Sequence, residues 1–377
     1  MKISRLLLVV ALYVLSAQAA EPIYQVFVGT YTGKQSKGIY TFRFKSLDGG
    51  TTAPVLAAPT ENPSFLAVDA DGKYLYTVKE TSNRGKGEGG ITVFAIEGAT
   101  LKQIQELPSM GADPAYLTLD GTGHNLLVAN YTGGNVAVFP IGKDGKLKGH
   151  SAFDQHKGSS VNKERQAGPH AHSIQMSNDN RFVLSADLGL DEVLAYGFDA
   201  KKGTLKAANP AFVKVADGAG PRHVAFAPNS RFVYVTNEMT STVTVMAYDA
   251  QTAAMSEVQT VSTLPADSKV VDNSTAEITV DAKGRYLYVS NRGEDTIAQF
   301  SIDQATGKLT FVARTPTGGK TPRFFTLDPT GKWMFVANQE TNDIFLFKVD
   351  EESGKMVATD FKVEIGSPVC LVFVRTR

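Results

Sequence analysis

The sequence predicts an all-β protein, a seven-bladed β-propeller made of four-stranded antiparallel blades. Three observations support this prediction. A pattern of three short strands recurs along most of the 377-residue chain, and each copy has a tight turn after its first strand. A seventh copy is completed only when the two ends of the chain are joined. Repetition at a spacing of about 40–50 residues is typical of propeller blades.

The clearest copy covers residues 221–248. Its first strand begins with Pro-Arg-His, a Pro-Asn-Ser-Arg turn follows, and residues 232–236 form a strand of β-branched and aromatic residues. Apolar runs this short between turn residues favour buried strands over helices. The other copies cover residues 63–96, 114–141, 171–198, 275–302 and 322–349. The outer, fourth strands have the weakest pattern and are expected near residues 102–106, 214–216 and 310–314.

The seventh blade is expected to combine both ends of the chain. Residues 367–374 resemble a first strand, and residues 25–31 and 38–44 supply the strands that would follow it. A ring closed in this way leaves no free sheet edge. Because Cys370 is the only cysteine, disulfides are excluded, and its apolar strand predicts a buried thiol.

The N-terminus has the pattern of a secretory signal peptide. Lys2 and Arg5 precede an apolar run at residues 6–15, and Ala17-Gln18-Ala19 offers a small-residue cleavage site. The run is too short for a transmembrane helix. We therefore expect a signal peptide over residues 1–19, a propeller domain over residues 20–377, and a periplasmic or secreted protein. An uncleaved N-terminal anchor is the alternative.

Composition limits the classes of partner. The chain has 38 basic and 38 acidic side chains, and loss of Lys2 and Arg5 with the signal peptide leaves a small acidic excess. Such a balance does not indicate a nucleic-acid or membrane surface. We expect a monomer without a metal or other cofactor.

Two stretches interrupt the repeat. Residues 81–90 form a Gly-rich loop that lacks the spacing of a phosphate-binding motif, so a flexible rim loop is expected. Residues 149–168 form a long polar connection that contains His156 and Arg165 and leads into His170 and His172. Loops of this length in a compact fold tend to be functional. We expect this one to form part of a site wall.

Two positions of the repeat are expected at one mouth of the central channel. The second residue of the inner strand reads Ser64, Ala115, His172, Arg222, Ala276, Arg323 and Val369 around the ring. The residue after the second strand reads Glu80, Tyr131, Leu188, Glu238, Arg292, Gln339 and Tyr31. Arginines bind anions through paired N–H groups, and Glu and His can move protons, so these positions predict a site for an anionic small molecule.

Each candidate also has a structural interpretation. His172 could bond a neighbouring backbone, and His170 and His172 could instead form half of a zinc site, although further ligands at suitable spacing are not evident. Arg222, Arg292 and Arg323 could form salt bridges with Glu238, Glu277 and Glu80. His223 alternates with Arg222 and is expected to pack within its blade. No motif indicates a serine nucleophile.

Six motifs contain most of these candidate residues: GPHAHS (168–173), GPRH (220–223), VTNE (235–238), STAE (274–277), VSNR (289–292) and TPR (321–323). Together they resemble the seven-bladed lactonase family, which includes propeller-type 6-phosphogluconolactonases and the fungal carboxy-muconate cyclase. The resemblance covers nearly the whole chain after the signal peptide. It implies a metal-independent site with catalytic residues His172, Arg222, Glu238 and Arg292. The expected substrate-binding residues are Arg323, His170, Glu277 and Glu80.

The activity that the resemblance implies is hydrolysis of a small anionic or sugar lactone, the lactone of a sugar acid, in carbohydrate metabolism. Glu238 or His172 would be the general base, while Arg222 and Arg292 would bind the anionic group and stabilise the oxyanion. The same groups could serve a lactonising cycloisomerase of the muconate type. Because the signal peptide predicts export, we expect an unphosphorylated aldonolactone. The YVTN-like strand ends also resemble cell-surface repeat propellers, so a non-enzymatic binding propeller is a further alternative.

Overall fold

The predicted seven-bladed propeller is confirmed. The computed structural model of the protein describes residues 22–82 and 89–376, which form seven four-stranded antiparallel sheets around a central channel. The signal peptide predicted at residues 1–19 lies outside the described residues, and so do residues 83–88 of the Gly-rich loop. No helix in the described part of the chain is long and apolar enough to cross a membrane.

The strands follow the repeat predicted from the sequence. The closing blade, blade 7, contributes β1 Ile23–Thr30, β2 Gly38–Lys45 and β3 Val55–Pro59. Blade 1 consists of β4 Leu66–Val68, β5 Tyr74–Lys79, β6 Gly90–Glu97 and β7 Thr100–Pro108. Blade 2 consists of β8 Pro114–Leu119, β9 Asn125–Asn130, β10 Asn135–Pro140 and β11 Ala152–Gln155. Blade 3 consists of β12 Ala171–Met176, β13 Phe182–Asp187, β14 Glu192–Asp199 and β15 Thr204–Lys214.

The second half of the ring continues in the same way. Blade 4 consists of β16 Pro221–Phe226, β17 Phe232–Asn237, β18 Thr242–Tyr248 and β19 Met255–Ser262. Blade 5 consists of β20 Ser274–Val280, β21 Tyr286–Arg292, β22 Thr296–Ile302 and β23 Leu309–Pro316. Blade 6 consists of β24 Pro322–Leu327, β25 Trp333–Asn338, β26 Asp343–Val349 and β27 Met356–Glu364. The inner strand of blade 7 is β28 Pro368–Arg375, which pairs with β1 and closes the ring as predicted.

The outer strands were predicted least well. The strand expected at residues 214–216 is wrong, since β15 ends at Lys214. The polar connection expected from residue 149 contains the outer strand β11. Both errors have one cause: outer strands are half exposed, so their sequences carry fewer apolar residues than the buried inner strands.

Adjacent blades are held together by apolar packing and by recurring tyrosine hydrogen bonds. The buried Tyr234 hydroxyl of blade 4 donates to the Gly307 carbonyl of blade 5 at 3.2 Å. Tyr76 and Tyr288 make the same bond to glycines in the blades that follow them. Gly307 has a φ of +72°, and a Cβ there would lie 2.4 Å from the Phe232 ring, so both backbone and packing require glycine. Cys370 is a buried free thiol, as predicted.

A repeated β-bulge positions the functional side chains. In six of the seven blades, the register shifts where the inner strand begins, and one or two inner-strand residues have no partner. Bulges re-aim side chains and are frequent beside active sites. The residues without a partner are Ala115, His172, Arg222, Ala276 with Glu277, Arg323 and Val369. They include the inner-strand positions that the sequence repeat selected in these blades.

Candidate active site

Glu238 is the centre of the polar cluster at the channel mouth. It follows β17, and its side chain is 9% exposed. Its Oε1 accepts a hydrogen bond from Arg165 Nη2 at 2.7 Å. Its Oε2 accepts from Arg222 Nε at 3.1 Å and lies 3.0 Å from Arg292 Nη2. Both carboxylate oxygens are therefore engaged by guanidinium groups.

This environment fixes the charge of Glu238. Burial alone would raise its pKa, but the nearby charges of Arg292 and Arg222 and the hydrogen bond from Arg165 outweigh that effect and lower the pKa to about 2. Arg222 is itself buried, and burial together with the charges of Arg292 and Arg323 lowers its pKa to about 9. Glu238 is therefore an anion at neutral pH and organises the arginines around it.

A second network holds Arg323 on the opposite side of the channel mouth. Arg323 Nη2 donates to the Tyr31 hydroxyl at 2.8 Å, and its guanidinium lies over the Tyr31 ring. The same hydroxyl lies 2.8 Å from both Glu80 oxygens, and Ser64 also bonds Glu80. Burial raises the pKa of Tyr31, so its phenol stays protonated and donates to Glu80. Tyr31, which belongs to the closing blade, thus connects Arg323 to Glu80.

His172 is the only histidine among the described residues that lines the cavity at this mouth. It is 5% exposed, and its Nδ1 has no hydrogen-bond partner within residues 22–82 and 89–376. Burial, and then the charges of Arg222 and the proximity of His223, hold its pKa well below the ordinary histidine value. The imidazole is therefore neutral at pH 7 and has a ring nitrogen available for chemistry.

Arg165 reaches the cluster from residues 156–170, which we call the strap, the connection between β11 and β12. Its side chain is 45% exposed, and Nη2 also contacts the Tyr131 hydroxyl at 3.1 Å. The strap is fixed at one end by His156, which bonds Asp187 at 2.6 Å. Near the other end, the buried Gln166 side chain donates to Asp191 at 2.7 Å. The connection that was expected to form part of a site wall therefore contributes Arg165 to the lining of the cavity.

The cavity between these groups has a volume of about 270 Å³. Its lining combines cations, carboxylates and rings from blades on all sides: Glu80, Ala115, Tyr131, Arg165, His172, Glu238, Arg292 and Arg323. Five of the residues selected from the sequence therefore meet here. The other lining side chains that carry polar groups, Tyr131 and Arg165, were not selected. Tyr131 occupies one of the two repeat positions expected at the channel mouth, whereas Arg165 lies outside the repeat.

Three of the selected residues lie around this cavity without lining it. Arg222 is 2% exposed and lies beneath Glu238, where its Nη1 donates to the Ala276 carbonyl at 2.7 Å. His170 stacks on the face of Tyr131 at 4.5 Å and bonds the Tyr131 backbone. Glu277 lies deeper in the channel and bonds His223 at 3.0 Å. Arg222 and Glu277 thus form a lower layer of the site.

The expectation that His223 packs within its own blade is wrong. Its ring lies 5.2 Å from His172 and 5.1 Å from Tyr116, which belong to other blades. The bulge at Arg222 is the physical reason, because an extra residue interrupts the two-residue alternation and turns both side chains toward the channel.

The salt bridges and the zinc site that were considered for these residues can be compared with the structure. Arg222 and Arg292 do form salt bridges with Glu238, while Arg323 reaches Glu80 through Tyr31. His170 and His172 approach different sides of Tyr131, one on its face and one on its edge. In the part of the chain that the structure describes, no group of three or more metal-type side chains converges. The arrangement supplies anion-binding groups and one neutral imidazole.

The fold is a seven-bladed propeller with a cavity lined by arginines, carboxylates and a histidine at one end of its channel. A model of the family described as "Lactonase, 7-bladed beta-propeller" matches residues 25–373. The chain belongs to this seven-bladed β-propeller lactonase family.

Individual relatives agree with the family. A 6-phosphogluconolactonase of Bacillus subtilis is 35% identical over 303 residues, covering 79% of this chain and 83% of the relative. A 6-phosphogluconolactonase of Formosa agariphila is 34% identical over 309 residues, covering 80% and 85%. The solved structure of a periplasmic gluconolactonase of Pseudomonas aeruginosa is 36% identical, with a TM-score of 0.87 and coverage of 93% and 99%.

Proposed function

We propose that this protein hydrolyses the lactone of a small sugar acid, without a metal ion, in the periplasm. The observation that carries the proposal is the cavity at the channel mouth, which is lined by three arginines and by a neutral imidazole whose Nδ1 has no partner among the described residues. Ester hydrolysis needs a base for water and positive groups for the oxyanion. The lactonase relatives support the same reaction class.

His172 is the general base in this proposal. Both oxygens of Glu238 are occupied by arginines, and its pKa of about 2 makes it a poor proton acceptor. His172 is neutral at pH 7, so one of its ring nitrogens can accept a proton, and its Nδ1 has no hydrogen-bond partner among the described residues. Glu238 instead holds Arg165, Arg222 and Arg292 in position.

The reaction would proceed in two steps. His172 takes a proton from water while the water oxygen bonds to the lactone carbonyl carbon, and the carbonyl oxygen becomes an oxyanion beside Arg292 and Arg323. The tetrahedral intermediate then expels the ring oxygen, which receives the proton from the His172 imidazolium. A low imidazolium pKa favours this return of the proton. The product is an open-chain hydroxy acid, which ionises to a carboxylate.

The charge balance of the site supports an acidic product. Four arginines, Arg165, Arg222, Arg292 and Arg323, surround two carboxylates, Glu80 and Glu238, so the cluster has a positive excess while His172 is neutral. This excess can stabilise the oxyanion and the carboxylate even when the substrate is neutral. Export predicted from the N-terminal sequence and the periplasmic gluconolactonase relative favour an unphosphorylated aldonolactone.

The test is a pH-stat assay that measures acid released from glucono-δ-lactone, from its 6-phosphate and from a lactone with a free carboxylate. We expect hydrolysis that is insensitive to EDTA and that falls about 10²–10⁴-fold in His172→Gln. His150→Gln is the matched control, since His150 is exposed and lies before the strap. Release of acid at the background rate from all three lactones, or full activity of His172→Gln, would contradict the proposal.

A further inference from the structure

A continuous line of hydrogen bonds runs along the channel beneath the cavity. It begins at Glu277 Oε1, which lies 3.0 Å from His223 Nδ1. His223 Nε2 lies 3.1 Å from Arg222 Nη1, and Arg222 Nε donates to Glu238 Oε2 at 3.1 Å. Every residue in this line is at most 7% exposed. The line therefore connects the lower channel to the central carboxylate of the site.

The chemistry of the donors fixes the direction of these bonds. A guanidinium group only donates, so His223 Nε2 has to be the acceptor of the bond from Arg222. The proton of the neutral ring is then on Nδ1, where it donates to the Glu277 carboxylate. Burial lowers the pKa of His223 to about 4, and the charge of Arg222 adds to this effect while the charge of Glu277 opposes it. The ring is therefore neutral at pH 7 and carries one N–H proton.

We infer that Glu277 and His223 form a positioning pair that selects one tautomer of the imidazole and thereby holds Arg222 in the orientation that supports Glu238. Neither residue lines the cavity between Arg165, His172 and Arg323, and the pair is bonded to Arg222 through His223 Nε2, so we assign its effect to Arg222. Three N–H groups of Arg222 are used, by Glu238, His223 and the Ala276 carbonyl. The guanidinium plane is consequently fixed from below.

The two carboxylate oxygens of Glu277, at the lower end of the line, have different environments. Its Oε1 also accepts the Ile278 backbone N–H at 3.0 Å, whereas its buried Oε2 has no partner among the described residues. An unpaired buried oxygen is costly in free energy. The bulge of blade 5, which leaves both Ala276 and Glu277 without strand partners, is what brings this carboxylate to His223.

The inference rests on the proposed function for its kinetic test, and a spectroscopic test is independent of activity. Because the chain has only six histidines, the ¹⁵N shifts of labelled imidazoles can report the His223 tautomer at pH 7. We expect the Nδ1–H tautomer in the native protein and its loss or mixing in Glu277→Gln. An Nε2–H or doubly protonated ring in the native protein would overturn the inference.

The kinetic test uses three substitutions of His223 with different hydrogen-bonding capacity. His223→Phe removes both bonds, His223→Asn keeps only a donor toward Glu277, and His223→Gln keeps an acceptor at the reach of Nε2. We expect kcat/KM for glucono-δ-lactone to fall about 10²-fold in the Phe and Asn variants, as misplaced groups generally cause. His223→Gln should recover at least part of this loss, which a role in packing alone would not produce.

A double-mutant cycle measures whether Glu277 and His223 act as one unit. If Glu277 acts through His223, His223→Phe combined with Glu277→Gln should be no worse than His223→Phe alone. Multiplicative losses, or native kcat/KM in a folded His223→Phe variant, would overturn the inference. Thermal unfolding shows whether each variant is folded. Absence of hydrolysis by the native protein would instead refute the proposed function, and the ¹⁵N shifts would still decide whether the pair exists.

Discussion

Replacing Glu238 by glutamine should destabilise the fold in a manner that depends on pH. The carboxylate is buried, and its pKa is lowered from 4.5 to about 2 by Arg292, Arg222 and Arg165 against the effect of burial. Each pKa unit corresponds to about 1.4 kcal/mol, so the ionised form contributes about 3 kcal/mol of stability at pH 7. Removing one partner of a buried ion pair generally costs about 3–5 kcal/mol, which agrees.

The sign of the pH dependence follows from the lowered pKa. A carboxyl group with a lower pKa in the folded state stabilises the protein above its unfolded pKa, and this contribution is lost as the pH falls from 4.5 toward 2. The difference in unfolding free energy between the native protein and Glu238→Gln should therefore be largest near neutral pH and should shrink below pH 4.5. Glutamine does not ionise, so the variant lacks this dependence.

Urea unfolding from pH 3 to pH 7 measures the difference. Trp333 is the single tryptophan and is 2% exposed, so its fluorescence should report global unfolding. Glu97→Gln, at an exposed position at the end of β6, is the control and should stay within about 0.5 kcal/mol of the native protein. A Glu238→Gln difference that is constant over this pH range, or that is below about 1 kcal/mol at pH 7, would refute the reasoning.

Three further outcomes are expected. Arg165→Gln should raise KM for an anionic lactone about tenfold, which corresponds to the loss of one hydrogen bond to a charged group. The melting temperature should change little because the Arg165 side chain is 45% exposed. An unchanged KM would contradict this prediction. In a pH–rate profile, the acid limb of kcat/KM should lie below pH 6.5 because burial and the charge of Arg222 lower the pKa of His172. An acid limb at or above pH 6.5 would contradict this prediction. Deleting residues 368–376 removes β28 and leaves β1 as an exposed sheet edge. Circular dichroism and light scattering should therefore show unfolding or aggregation. A truncated monomer that unfolds cooperatively would contradict this prediction.

The repeat predicted the ring and most of the site because the same backbone device recurs in nearly every blade. The bulge at the start of the inner strand turns one position toward the channel, so a comparison of equivalent positions in the sequence selected His172, Arg222 and Arg323 without knowledge of the contacts. The residues after the second strands, Glu238 and Arg292, lie at the same end of the channel for the same topological reason.

Residues that the sequence did not reveal depend on departures from the repeat. Arg165 lies on the strap, which belongs to no copy of the repeat, and buried contacts of His156 and Gln166 hold the strap in place. His223 was assigned to the wrong face because strict alternation was assumed through a bulge, and the extra residue is recognisable only from the pairing register. Non-repeating loops and shifts in strand register are therefore the features that cannot be located from the sequence repeat alone.

The two layers of arginines around Glu238 differ in how freely they can leave it. Arg165 is 45% exposed, and ion pairs near the surface are generally worth about 0–1 kcal/mol, so a substrate anion can draw it away at little cost. The Arg222 side chain is 3% exposed, and separating it from Glu238 would break an ion pair between two buried charges. Binding of an acidic ligand should therefore move the strap arginine, while the arginine held by His223 stays in place and keeps Glu238 oriented.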